Sequence, residues 1–460
     1  MNNATKKLGF WSMVLLTINS IIGSGIFLSP GSVVKMSGKY APLIYLGAAV
    51  FAAILAITFA SAAKYVSKGG ASYAYTKAAF GDNMGLYIGI TRFVSASIAW
   101  GVMTTGVVKT VLSILGMDNT NFSYMTAGFI ILMTILFVIN IFGTRVLEIV
   151  NNISTIGKLL ALITAIVAGL AVLIITGQNN FSQIETVAGD VSNNMDLGAT
   201  VMAIIAAFYA FTGFESVASG SEDMEEPEKN LPKAIPLGIL IVALVYTGIV
   251  LVSMMIDPIS MVNTKEVVAL LDVFKNPIIR AIILYGSLIS MFGINVAASF
   301  HTPRIIEAMA NQNQVPKIFA KRTDKGFPMF SMVITAALAI VLPIAFKYNM
   351  GSIMIISAIA RFAQFVMVPL AVIFFYYDKN REEIKSDVNK NLFTDVIIPV
   401  LALLLTMLLL AKFSWIEQFT VESNGSIYPN YLAIISMAIG YIIIPIGVYL
   451  YNKKLNKSIK

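Results

Sequence analysis

The chain has 460 residues, of which 57% are hydrophobic and only 12% charged, with a formal net charge of +8. A composition this apolar excludes a soluble domain and describes a polytopic membrane protein; continuous apolar runs such as Ile397 to Leu410 point to an all-α protein, since a barrel would need short alternating strands. Cysteine is absent and histidine occurs once, which excludes thiol chemistry and argues against a metal centre, while the positive charge requires no nucleic acid because basic residues in such a chain mainly set orientation.

About twelve stretches are long enough to cross the hydrocarbon core as helices. In chain order they lie near residues 9–35, 40–63, 84–112, 124–142, 150–176, 197–220, 235–256, 278–310, 328–346, 351–377, 394–412 and 430–452. The first begins at Gly9 and runs past Pro30 without a small-residue cleavage signature, so it reads as a retained span and not a signal peptide. An even number of spans puts both ends on one side. Roughly two-thirds of the 32 lysines and arginines fall in the two ends and the loops after even-numbered spans, so both termini are expected in the cytoplasm; the expected location is the lipid bilayer of the cell membrane, and the expected source is bacterial. The acidic loop 221–236 lies on that same side, as carboxylates weigh little in the rule; it reads as a solvated segment with a stiff, proline-spaced lead into span 7.

Span 1 contains Asn19-Ser20-Ile21-Ile22-Gly23-Ser24-Gly25-Ile26-Phe27. Gly23 and Gly25 give backbone freedom and let another group approach the main chain. Backbone opened in lipid costs several kcal/mol per unpaired group unless protein, water or ligand meets it. The N–H groups that start the next half-helix attract an anion such as a carboxylate. Alone, the pattern also describes a glycine packing notch. Span 6 supplies a counterpart in Phe208-Tyr209-Ala210-Phe211-Thr212-Gly213-Phe214-Glu215-Ser216, an apolar run again interrupted by glycine among small hydroxyl residues. Spans 1 and 6 then hold corresponding places in two blocks of five, about 9–176 and 197–377, with two extra helices in about 394–452. Because five is odd, the second block must be inverted. Paired discontinuous helices in inverted halves point to a mid-membrane substrate site, within a single transmembrane domain of residues 1–460.

These two runs, with Gly69-Gly70-Ala71-Ser72-Tyr73-Ala74-Tyr75, the segment Glu226-Pro227-Glu228-Lys229-Asn230-Leu231-Pro232-Lys233-Ala234-Ile235-Pro236, and Arg304-Ile305-Ile306-Glu307-Ala308-Met309-Ala310 followed by Val315-Pro316, resemble the amino acid/polyamine/organocation transporters over nearly the whole chain. The resemblance implies the leucine-transporter fold of five plus five inverted spans. It implies that a substrate α-carboxylate meets backbone N–H groups around Gly23, Ser24 and Gly25, with the Ser24 hydroxyl nearby, and that the α-ammonium meets carbonyls of Ile21, Tyr209, Ala210 and Thr212, beside Gly213. The electropositive start of one half-helix and the electronegative end of the other agree with a zwitterion held between them; a purely cationic polyamine would leave the anion half unused. The resemblance also places Trp100 near the side-chain pocket, with Tyr209 as an aromatic gate.

Charges within the spans are expensive and therefore informative. Lys158, near the start of span 5, is a candidate proton switch; its bland reading is a snorkelling residue near the interface. The resemblance puts it where sodium-coupled relatives of the fold bind their ion, against the backbone of span 1, although exchangers of the family also carry such a lysine. Glu215 is open between capping the second half-helix and sensing protons. Ser299 is the candidate hydroxyl to approach Lys158, with Ala298 the alternative register. Arg92 and Arg361 are open between receiving a second carboxylate and serving as structural ties to carbonyls and Gln364, the ties being favoured. His301 reads as a packing or hydrogen-bonding residue before a proton relay.

The expected function is secondary active transport of L-amino acids by alternating access, with proton symport first and exchange against an amino acid or amine as the alternative. An amino acid sensor without flux is the competing class. No Gly-x-x-x-x-Gly-Lys-Ser/Thr motif is present for ATP drive, no cofactor or metal is implied, and an enzyme is not expected. Substrate side chain and oligomeric state are not legible.

Overall fold

The computed structural model describes residues 7–458 apart from 24, 143, 190–194, 219–222, 264–268, 346, 347, 349, 383, 386, 414, 424 and 425. The apolar runs form helices α1 (Phe10–Ile21), α2 (Gly25–Leu28), α3 (Pro30–Ser37), α4 (Ala41–Tyr65), α5 (Ser72–Phe80), α6 (Asp82–Ile114), α7 (Phe122–Ile141) and α8 (Thr144–Thr176). The chain continues through α9 (Ile184–Ala188), α10 (Leu197–Phe208), α11 (Phe214–Val217), α12 (Pro227–Ile256), α13 (Pro258–Asn263) and α14 (Pro277–Asn311). It ends with α15 (Met329–Ala345), α16 (Met350–Tyr376), α17 (Ile398–Lys412), α18 (Trp415–Gln418), α19 (Tyr431–Ala438) and α20 (Ile444–Ser458). Among the described residues, eight stretches are long and apolar enough to cross a membrane, and α1, Met329–Val341 and Arg361–Tyr376 are shorter apolar helices. The protein is an all-α polytopic membrane protein.

Local chemistry starts the helices where they start. The side chain of Asn121 accepts from the N–H groups of Ser123 and Tyr124, Asp196 caps α10 through Ala199, and Asn276 caps α14 through Ile278 and Ile279; each meets donors the first turn would leave unpaired. Span 7 begins at Pro227, earlier than the expected 235, because Pro227 stands at a helix start where its fixed φ and missing N–H cost nothing. The glycine-rich motif after span 2 opens α5, which Gly81, at φ +91°, separates from α6. A two-stranded antiparallel hairpin, β1 (Thr420–Ser423) with β2 (Ser426–Pro429), lies before the last span; it was not expected.

Polarity sorts the helices between interior and lipid. Of the eight long apolar stretches, α6 is the least apolar and the most enclosed, while that of α8 is the most apolar and the least enclosed. Small and hydroxyl residues such as Gly89, Ser95, Ser97, Gly101, Thr104 and Thr105 let neighbours close around α6, as small residues do wherever membrane helices pack tightly. Around this helix, α14 and α16 bring the remaining walls of the central cavity.

Candidate functional site

Both expected breaks are present. The last helical bond of α1 is Ile22 N–H to Ile18 O, at 2.8 Å; Ile22 is then extended, and helix resumes at Gly25. Ser24 lies outside the described residues. Ser29 N–H bonds Gly25 O and Val33 N–H bonds Ser29 O, so α2 and α3 run on nearly as one half-helix. In span 6, α10 tightens into a 3-10 turn over Tyr209–Phe211, Thr212 is extended, and Gly213 takes φ +121° before α11.

The two breaks cross in direct backbone contact. A Cβ on Gly25 would lie 2.6 Å from Ala210 Cα, and one on Gly213 would lie 2.0 Å from Ser20 O. Gly23 faces the flexible end of Ile294. The glycines thus let two main chains touch, which is the close approach that only a residue without a side chain permits.

The carbonyls released at the end of α1 are met by other helices. Lys158, fully buried on α8, donates Nζ–H to Asn19 O at 3.2 Å and to Ile22 O. A cation at a helix C-terminus is favoured by the helix dipole, and the ammonium supplies donors to the orphan carbonyls. Ser290 on α14 donates to Ile22 O at 3.1 Å and Gly23 O at 3.3 Å. The hydroxyl beside Lys158's partners is therefore Ser290. Ser299 instead accepts from Asn140 Nδ2 at 2.8 Å and donates to Val296 O, because nine residues of helix put it about 13.5 Å further along α14. Ala298 lines the central cavity. Asn19 completes the joint by donating to Asn151 Oδ1 at 2.6 Å and Gly293 O at 2.8 Å.

At the second break, Glu215 Oε2 accepts Gly213 N–H at 2.8 Å, the capping geometry, and Oε1 accepts Arg361 Nη1 at 2.8 Å. Arg92 Nη2 stands 3.6 Å from the same oxygen and donates to Ser216 Oγ. The partner of the two arginines is thus Glu215; among the described residues, both side-chain polar atoms of Gln364 are buried without a hydrogen bond. Thr212 turns its N–H and hydroxyl back to Tyr209 O, at 3.3 and 2.8 Å. A residue not singled out from the sequence, Tyr246 of α12, points its hydroxyl at Ala210 O, 3.2 Å, and Ile21 O, 3.4 Å. It bridges carbonyls of both breaks. One tyrosine among 18 in an apolar helix carries no sequence mark of that role.

Between the breaks, α6, α14 and α16 enclose a cavity whose walls include Ile21, Gly23, Gly25, Tyr209, Thr212 and Gly213. Ala210 does not line it, and Trp100, fully buried on α6, does not either. His301 does; its Nε2 lies 3.0 Å from Ser20 Oγ. Water centres fit over about 50 Å³ of it, room for about three to five waters, the scale of a small amino acid. Replacing Tyr246 by phenylalanine is expected to weaken substrate affinity about 2- to 10-fold, the loss of one hydrogen bond that ties the breaks together. Equilibrium binding to the purified variant measures this; unchanged affinity would show that the phenol holds nothing the substrate needs.

Beyond the second break the molecule is closed at one end. Leu8 N–H bonds Asp223 O at 3.0 Å and Glu225 N–H bonds Leu8 O at 2.9 Å. Arg304 Nε donates to Asp223 Oδ2 at 2.8 Å, and Arg322 pairs with Glu307 and reaches Asp223. Burial opposes ionisation of Asp223, but the guanidiniums of Arg304 and Arg322 outweigh it and hold the carboxyl below its usual range.

Membrane-length helices around a small cavity, at the crossing of two broken spans and closed by ion pairs at one end, define a polytopic carrier. The chain belongs to the amino acid permease family of the amino acid/polyamine/organocation superfamily, whose profile matches residues 8–447. It is 38% identical to an uncharacterized transporter of Mycobacterium tuberculosis, over 99% of this chain and 97% of the relative. It is 28% identical to a serine/threonine exchanger of Bacillus subtilis, over 81% and 83%. A branched-chain amino acid permease of the same bacterium is 25% identical over 80% of each chain.

Proposed function

We propose that the protein is a secondary active transporter of L-amino acids in the cell membrane, working by alternating access as a proton symporter, with both termini cytoplasmic and with inverted repeats over about 9–176 and 197–377. The observation that carries this reading is the cavity at the crossing of the two breaks, whose glycines expose main-chain donors and acceptors to one small ligand. The substrate α-carboxylate lies at the start of the half-helix that Gly25 opens, and the α-ammonium faces the carbonyl side of Tyr209 and Thr212. Ile21 O and Ala210 O already receive Tyr246, and Tyr209 O receives the N–H and hydroxyl of Thr212, so these three are shared with the ammonium at most. Lys158 couples protons by holding and releasing the end of α1, and its contacts with Asn19 O and Ile22 O support that role.

Exchange is the second reading, favoured by the relative named as a serine/threonine exchanger. Purified protein in proteoliposomes, offered radiolabelled amino acids with and without an imposed proton gradient and an internal amino acid, separates the readings. Saturable uptake that rises with external acidity is expected. Uptake that needs internal amino acid and ignores the gradient would replace symport by exchange, and saturable binding without flux would make the protein a sensor.

A further inference from the structure

The arginines of the cavity wall carry more charge than their partner removes. Arg92 is 3% exposed, Arg361 7% and Glu215 1%, so all three are out of water. Among the described residues this cluster sets two guanidiniums against one carboxylate. Arg361 takes Glu215 Oε1 directly, at 2.8 Å; Arg92 stands 3.6 Å from that oxygen and spends Nη2 on the neutral Ser216 hydroxyl. Among the described residues, Arg92 Nη1 is buried and meets no hydrogen-bond partner. An unpaired donor on a buried cation that shares one carboxylate with a second arginine is costly, and both arginines line the cavity. A planar guanidinium with a free N–H is a receptor for carboxylate oxygens.

Position adds to the charge. Ser216, which Arg92 grips, follows Gly213 by three residues, about 4.5 Å along a helix. That is close to the reach of a side chain of one or two methylenes ending in a carboxylate, from a backbone held at the break. An apolar side chain would leave both the donor and the charge as they are, and a neutral amide or hydroxyl could meet the donor but would leave the charge.

Resting on the amino acid transporter reading above, we propose that the preferred substrate carries a side-chain carboxylate, as aspartate and glutamate do, and that Arg92 Nη1 receives it and sets this specificity. Glu215 keeps Arg361 neutralised and repels any carboxylate placed against it, so the acidic side chain is directed to Arg92. Such a contact exchanges an unmet buried donor for a charge-assisted hydrogen bond.

The test is equilibrium binding of aspartate, asparagine, glutamate, glutamine and serine to the purified full-length protein, compared with Arg92→Gln and Arg92→Lys. The unaltered protein is expected to bind the better acid at least about tenfold more tightly than its own amide. Arg92→Gln leaves Arg361 and Glu215 paired one to one; it is expected to erase that preference, acid affinity falling at least about tenfold further than amide affinity. Should Arg92→Gln fail to fold, Arg92→Lys decides, since it keeps the charge and loses the planar fork: weaker acid binding with unchanged amide binding supports the assignment, and equal losses for both overturn it. Amides or serine bound as tightly as the acids by the unaltered protein would also overturn it, and would leave amino acid transport standing. If none of the tested amino acids binds, and a full panel of amino acids gives no uptake into proteoliposomes, the transporter reading falls and the assignment falls with it.

Discussion

Gly213→Ala is expected to abolish substrate binding and uptake while the protein still reaches the membrane in near-normal amount. At φ +121° an L side chain is strained by about 1–3 kcal/mol. The added methyl would also stand 2.0 Å from Ser20 O, a main-chain atom that moves only if α1 moves. The least disruptive response is for the two breaks to separate, which destroys the crossing that frames the cavity. A fall in affinity of at least ~100-fold, about 2.8 kcal/mol, is expected. Gly25→Leu meets Ala210 Cα from the other break at 2.6 Å and is expected to behave alike. Ligand-induced thermal shift of the purified variants, with membrane content measured beside it, reads both effects. Native affinity in either variant would remove the crossing from the binding site.

Lys158→Ala is expected to remove the rise of uptake with external acidity and to lower uptake at acidic pH at least about tenfold, roughly the 1–3 kcal/mol of one unmet buried acceptor. Among the described residues the ammonium's partners are the carbonyls of Asn19 and Ile22, and of these Ile22 O keeps Ser290 when the lysine is lost. Asn19 O is left exposed to apolar surroundings, and the end of α1 loses the cation that favours it. The variant is thus expected to stay folded, held by Asn19 with Asn151 and Gly293, while its broken span is less firmly closed. Uptake by proteoliposomes across a series of external pH values tests this. A pH profile unchanged from that of the native protein would sink the switch role.

The breaks were legible because glycine among small hydroxyl residues interrupts apolar spans at corresponding places in two blocks, and Gly23, Gly25 and Gly213 mark them in the one-dimensional string. Lys158 was legible because an ammonium inside a span must find acceptors. Partnerships between distant helices were not. Arg92 and Arg361 plainly needed a counter-charge, and the carboxylate at Glu215 was visible. Nothing in linear order says that α6, α11 and α16 meet there. The same limit separates Ser290 from Ser299: along α14 many small residues are buried, and helical pattern alone does not say which hydroxyl stands level with Ile22. Trp100 illustrates the complementary case, a large side chain that the packing encloses away from the cavity. The early start of α12 follows from proline chemistry at Pro227, which favours a helix start as much as it stiffens a loop.

The short parallel pairing of Leu8 with Met224 has a consequence for the order of events. It clips the chain just before span 1 to the chain just after span 6, on the same side of the membrane as the Arg304–Asp223 pair. The two broken spans are thus fastened at that end as well as at their crossing. On the transporter reading proposed above, opening at this end would have to break two backbone hydrogen bonds remote from the cavity, whose N–H donors only a proline at Leu8 or Glu225 would remove.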